Sequence, residues 1–126
     1  MRTDNPVILI VDDEPAVCHL LQRILGNAEY ATVAVQCASE ATRLVEDRNV
    51  RIDLVLADIN MPGTNGLDLH AAILRERPQL PVVFVTGVPE NSVVRAAMDE
   101  KLLFLQKPLT GAELLKHVRS ALDSPR

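Results

Sequence analysis

Four short, unbroken apolar runs constrain the fold of this chain more than any other feature. They are Val7–Val11, Leu54–Ala57, Pro81–Val85 and Leu102–Leu105. Each is too short for a helix and shows no helical period. Each therefore reads as a strand, and the first three as strands covered on both faces, as inside a parallel sheet. A further stretch, Thr32–Gln36, is more mixed, as expected of a strand at a sheet edge.

Helical patterns separate the runs. Pro15 suits the first turn of a helix, where its missing N–H costs nothing. Val17, Leu20, Leu21, Ile24 and Leu25 then recur on one face, and Gly26 and Asn27 signal the end. Ser39 is placed to cap a helix carrying Ala41, Leu44 and Val45. Leu67, Leu69, Ile73 and Leu74 mark a third helix, closed by Pro78. A short fourth, around Glu90 to Asp99, carries Val93, Val94, Ala97 and Met98. Thr110 and Glu113 form a capping-box pattern that opens a fifth, with Leu114, Leu115, Val118 and Leu122. Strands alternating with helices in this way predict an α/β fold, a doubly wound (βα)5 parallel sheet. Right-handed crossovers and the edge-like second strand favour the order 2-1-3-4-5 of the flavodoxin-like arrangement. The expected organisation is a single domain: residues 1–6 an N-terminal extension, 7–122 the folded domain, and 123–126 a tail or the start of a linker.

Composition narrows the function classes. With 48% hydrophobic and 24% charged residues, the chain is ordinary for a globular domain. The formal charge is -4 and the basic residues are scattered, which argues against direct binding to nucleic acid. The apolar runs fall far short of the roughly 20 residues that span a bilayer. No apolar signal segment opens the sequence, and Cys18 and Cys37 sit in no metal or redox spacing. Cys18 falls in a helical pattern and reads as a small core or boundary residue. The expected location is the reduced cytoplasm.

The strand ends carry the chemistry. In a parallel sheet all C-terminal strand ends lie along one edge, where ligands bind. The first strand ends in Asp12 and Asp13, the third in Asp58, the fourth in Thr86, and the fifth leads to Lys107. One polar strand end is ordinary, but complementary groups at four converging ends are not. Three carboxylates so close repel one another by about 1–4 kcal/mol per pair at 4 Å and need a cation. All-oxygen donors point to Mg2+ or Mn2+ rather than zinc. A metal, an ammonium and a hydroxyl around one carboxylate match what phosphoryl transfer requires, with an Asp58 oxygen attacking in line.

These residues resemble the receiver domain of bacterial two-component response regulators. The resemblance runs from about Val7 to Leu122 and rests on four pieces in order: Val11 through Pro15, Asp58 through Pro62 with Gly66, Thr86-Gly87 and Lys107-Pro108. It implies that Asp58 accepts phosphate from a histidine of a partner kinase or phosphotransfer protein. It implies Mg2+ ligation by Asp13 directly, by Asp12 largely through water and by the Asn60 carbonyl, with Asp58 in the same site. Thr86 and Lys107 would hold the phosphoryl group, and the Lys107-Pro108 bond would be cis. Thr86 and Phe104 would form the switch, with Phe104 also readable as plain core packing. The surface of helix 4, strand 5 and helix 5 would respond and meet a second copy or an output domain.

The sequence departs from the family pattern in places. The link Asp99–Lys101 lacks a small Gly-Ala pair, and the interval from Thr86 to Lys107 is short, which implies a short or shifted fourth helix. Val88 offers no polar side chain to hold a water, which implies slow loss of the phosphoryl group. The reading is a relay module that turns over no external substrate, in other words not an enzyme. Three alternatives stay open: a receiver fold used only for docking, a phosphatase working through an aspartyl phosphate, and a flavin module of the same topology. His19, His70 and His117 read as helix surface or boundary residues, Tyr30 as core edge, and Arg75–Arg77 as a solvated helix end.

Overall fold

The computed structural model describes residues 5–58, 60–61, 64–86, 103–106 and 110–123; Asn60, Met61, Thr64–Leu67, Thr86 and 103–106 are described by backbone only. The chain runs β1 (Val7–Val11), α1 (Pro15–Asn27), β2 (Ala31–Val35), α2 (Ala38–Glu46) and β3 (Leu54–Asp58). A short hairpin follows, β4 (Asn60–Met61) and β5 (Thr64–Asn65), then α3 (Gly66–Glu76), β6 (Val82–Thr86), β7 (Leu103–Gln106) and α4 (Gly111–Asp123). The expected fourth helix, Glu90 to Asp99, lies outside the described residues, so α4 here is the fifth helix expected from the sequence.

The main sheet has five strands in the order β2-β1-β3-β6-β7. Its strand pairs are parallel throughout. This is the expected 2-1-3-4-5 order, and β2 is indeed at the edge. Side-chain alternation along each strand builds two cores. Leu9, Val11, Val55, Ala57, Val82 and Phe84 face α2 and α3, where they meet Ala41, Val45, Leu69 and Ile73. Ile8, Ile10, Leu54, Leu56, Val83 and Val85 face α1 and α4, where they meet Cys18, Leu25, Leu114 and Val118. Each fully buried Leu, Ile or Val contributes about 1.5–3 kcal/mol relative to exposure. That two-sided burial is why the runs of β1, β3 and β6 are unbroken.

Local details correct the sequence reading. Leu20 does not belong to the core face of α1 and is 54% exposed. At about 100° per residue, Cys18, Leu21 and Leu25 define the inward face and Leu20 falls on its far shoulder. Ser39 does not cap α2. The N-cap is Cys37, in extended conformation, and Ser39 lies in the first turn with its hydroxyl 3.3 Å from the Cys37 thiol. α1 does end at Asn27, yet its positive-φ residue is Glu29 rather than a glycine. Glu29 N–H donates to the Gly26 carbonyl and Tyr30 N–H to the Leu25 carbonyl, both at 3.0 Å, the pair of bonds of a Schellman ending. Tyr30 packs against the α1–α4 core, as expected of a core-edge residue.

Arg77 is not a solvated helix end. Its guanidinium donates to the carbonyl oxygens of Val45 (3.0 Å), Asp47 (2.8 Å) and Val50 (2.8 Å). It thereby closes the C-terminus of α2 onto the end of α3. The capping box on α4 forms as read: Glu113 N–H donates to the Thr110 hydroxyl at 3.0 Å, and Thr110 N–H donates back to the Glu113 carboxylate at 3.1 Å.

Candidate functional site

β1 and β3 are neighbours, with Val11 opposite Ala57. The next residue on each strand is an aspartate, so pairing alone brings Asp12 and Asp58 to one place. Asp13 follows in the short link to α1. Single carboxylate oxygens of Asp12, Asp13 and Asp58 all lie within 4.8 Å of one another. Asp12 is 3% exposed and Asp58 7%, while Asp13 is half-buried. Charges so buried are costly unless opposite charge or strong donors meet them.

The β1–α1 link is held from several directions. Asp12 N–H donates to the Val35 carbonyl on β2 at 3.1 Å. One Asp12 carboxylate oxygen accepts from Glu14 N–H at 3.0 Å. The Glu14 carbonyl accepts from Val17 N–H and Cys18 N–H, each at 3.1 Å, which starts α1. Glu14 is the extended N-cap and its side chain makes no capping bond. The buried Cys18 thiol donates to the Asp12 carbonyl at 3.4 Å. Burial pushes that thiol above its ordinary range, and the negative charges of Asp12 and Asp13 add to the effect. None of these contacts around Cys18 was read from the sequence. The only available signal was a small polar residue one turn inside the helix that follows the acid pair.

The other expected site residues divide. Asn60 lies in β4, paired with Asn65 of β5 in an antiparallel hairpin directly after Asp58. No hairpin was expected there from the sequence. Thr86 ends β6, one residue beyond the position that pairs with Asp58. Thr86 also pairs with Gln106 of β7, and Phe104 pairs with Phe84. Lys107, Pro108 and Val88 lie outside the described residues. His19 and His117 are exposed, as expected. His70 is half-buried, with its ring edge-on to Phe84 at 5.9 Å between centroids. No described helix is long and apolar enough to cross a membrane.

The donor set suits a hard divalent cation. Three carboxylates converge, two of them buried, and each offers an oxygen to the same small volume. Among the described residues, this is the one group of three or more acidic, His or Cys side chains so arranged.

Comparison with known proteins agrees with this geometry. The family described as the response regulator receiver domain matches residues 8–119. The DNA-binding response regulator MtrA of Mycolicibacterium smegmatis is 32% identical over 97% of this chain and 53% of its own length. The response regulator protein PilR of Pseudomonas aeruginosa is 34% identical over 90% of this chain and 25% of its own. The chain thus spans about half, or less, of the length of such curated relatives. A CheY-like receiver domain protein from Methanospirillum hungatei superposes with a TM-score of 0.86 at 26% identity, covering 95% of both chains. The signal receiver domain of an HD domain-containing protein from Pseudomonas fluorescens does so at 0.84 and 29%, covering 95% of this chain and 96% of that one. Sheet order, acid cluster and family match together place this chain in the response regulator receiver domain family of two-component systems.

Proposed function

We propose that this domain is a phosphorylation-activated switch whose acceptor is Asp58. The observation that carries the reading is the meeting of three carboxylates within 4.8 Å at the C-terminal sheet edge, with Asp58 itself on a central strand. Asp12, Asp13 and Asp58, with the backbone carbonyl of Asn60, would hold Mg2+ or Mn2+. Such an ion, when bound, supplies positive charge opposite the charge developing on the phosphoryl oxygens. An Asp58 carboxylate oxygen attacks phosphorus in line. The P–N bond of the donor's phosphohistidine breaks, and its electron pair returns to the imidazole nitrogen, which takes up a proton. Thr86 and Lys107 serve as the hydroxyl and ammonium partners of the transferred group.

The donor on this reading is a histidine kinase or histidine phosphotransfer protein. The response passes through Thr86 and Phe104 to the helix 4, strand 5 and helix 5 surface expected from the sequence, which would meet a second copy or an output domain. The domain assists its own phosphorylation and dephosphorylation only, works in the cytoplasm, and does not itself bind nucleic acid.

The test is incubation with acetyl phosphate and MgCl2, reading intact mass. A gain of one phosphoryl group, absent in Asp58→Asn and absent with EDTA, is expected. No gain in the wild type supports the docking-only alternative instead. Steady turnover of a phosphomonoester supports the phosphatase.

A further inference from the structure

Asp12 and Asp13 lie between the last residue of β1 and the N-cap of α1. Asp12 N–H donates to the Val35 carbonyl on the strand side, and its carboxylate accepts from Glu14 N–H on the helix side. The Cys18 thiol adds a third from the body of α1, onto the Asp12 carbonyl oxygen at 3.4 Å. That carbonyl belongs to the peptide bond that leads into Asp13. Rotation about the Asp12 Cα–C bond turns this peptide plane and carries the Asp13 Cα and carboxylate with it.

We propose that Cys18 is a positioning residue of the acidic site: its thiol holds the Asp12–Asp13 peptide so that the Asp13 carboxylate reaches those of Asp12 and Asp58. The thiol is not a metal ligand in this role and acts through the backbone. The inference rests on the cation-binding reading above. Sulfur fits the task by length. An S···O contact of 3.4 Å is an ordinary thiol hydrogen bond, whereas a serine hydroxyl at the same Cα, on its shorter bond to Cβ, stops short of a good O–H···O distance. The site is also 3% exposed and part of a packed core, so a bulkier donor would not fit without displacing its neighbours there.

The experiment measures Mn2+ affinity by water-proton relaxation, and urea midpoints in EDTA, for the wild type, Cys18→Ala and Cys18→Val. Alanine removes the donor and leaves space. Valine removes the donor and restores most of the volume. Both variants are expected to bind Mn2+ about threefold to tenfold more weakly, at or below the lower end of what loss of an outer-shell partner does. Their urea midpoints are expected to differ from one another. An affinity that recovers in Cys18→Val overturns the proposal, since Cys18 then acts by packing alone. Unchanged affinity in both variants overturns it too. A wild type that binds no Mn2+ instead refutes the cation-site reading itself, which keeps the two failures apart.

Discussion

Removing one charge from the acid cluster should stabilise the metal-free protein and cost it its response to metal. Asp13→Asn is the best perturbation. Asp13 is half-buried, and amide for carboxylate changes charge with almost no change in shape. At 4.8 Å, the greatest separation in the cluster, each like-charge pair repels by about 0.9 kcal/mol at the dielectric of water and about 3.5 kcal/mol at an effective value of 20. Asp13 faces two such charges, and its partial exposure to solvent places the interaction near the weaker limit. Relief of about 1–2 kcal/mol follows. A cation reverses the order. At a hundredfold excess over its dissociation constant, a ligand bound only by the folded state stabilises it by about 2.7 kcal/mol. The wild type should therefore overtake Asp13→Asn as MgCl2 is added. Urea denaturation followed by far-UV circular dichroism, in EDTA and in saturating MgCl2, reads both effects; the chain has no tryptophan to serve as a probe. If Asp13→Asn is destabilised in EDTA, or if MgCl2 shifts both proteins alike, the three carboxylates do not share a cation.

Three further outcomes are expected. Glu29→Gly should raise stability by about 0.5–1 kcal/mol, since φ of 70° strains a side chain bearing Cβ and suits glycine; an unchanged or lower thermal midpoint refutes this. Arg77→Ala should cost about 2–3 kcal/mol, because three carbonyl acceptors lose their donor at once, and Arg77→Lys should recover little, since a single ammonium cannot span them; urea midpoints test both. Hydrogen bonds from the backbone and hydroxyl of Thr110 hold Glu113 below the usual carboxylate range. The stability it adds is therefore present at neutral pH and lost as pH falls through the folded-state value, so the wild type and Glu113→Gln should converge in urea midpoint toward acid. Divergence toward acid would have the opposite sign and refute the assignment.

Much of this protein was legible without coordinates, and the reason is geometric. Unbroken apolar runs mean strands covered on both faces, and two-sided cover in a five-strand alternation leaves few topologies. Parallel strands then align their C-terminal ends, so Asp12, Asp13 and Asp58 had to approach one another once β1 and β3 were neighbours. The capping box on α4 was readable because both of its partners lie within four residues. What escaped depends on neighbours distant in sequence or on backbone angles that residue identity does not dictate. Which shoulder of α1 faces inward, and hence the exposure of Leu20, is set by where β1 and α4 sit. Cys37 rather than Ser39 caps α2 because the chain leaves β2 extended through Cys37. Glu29 adopts a glycine-like φ because the Schellman ending satisfies two carbonyls there. Arg77 finds its acceptors some 30 residues away, across the α2–β3 connection, at separations of 27 to 32 positions along the chain. The sequence by itself determined which residues form the sheet and which groups gather at its edge, because hydrophobic period and strand direction are local. Only the tertiary structure decided how the acid turn is braced and how the helices are locked, because those bonds form between atoms that only folding brings together.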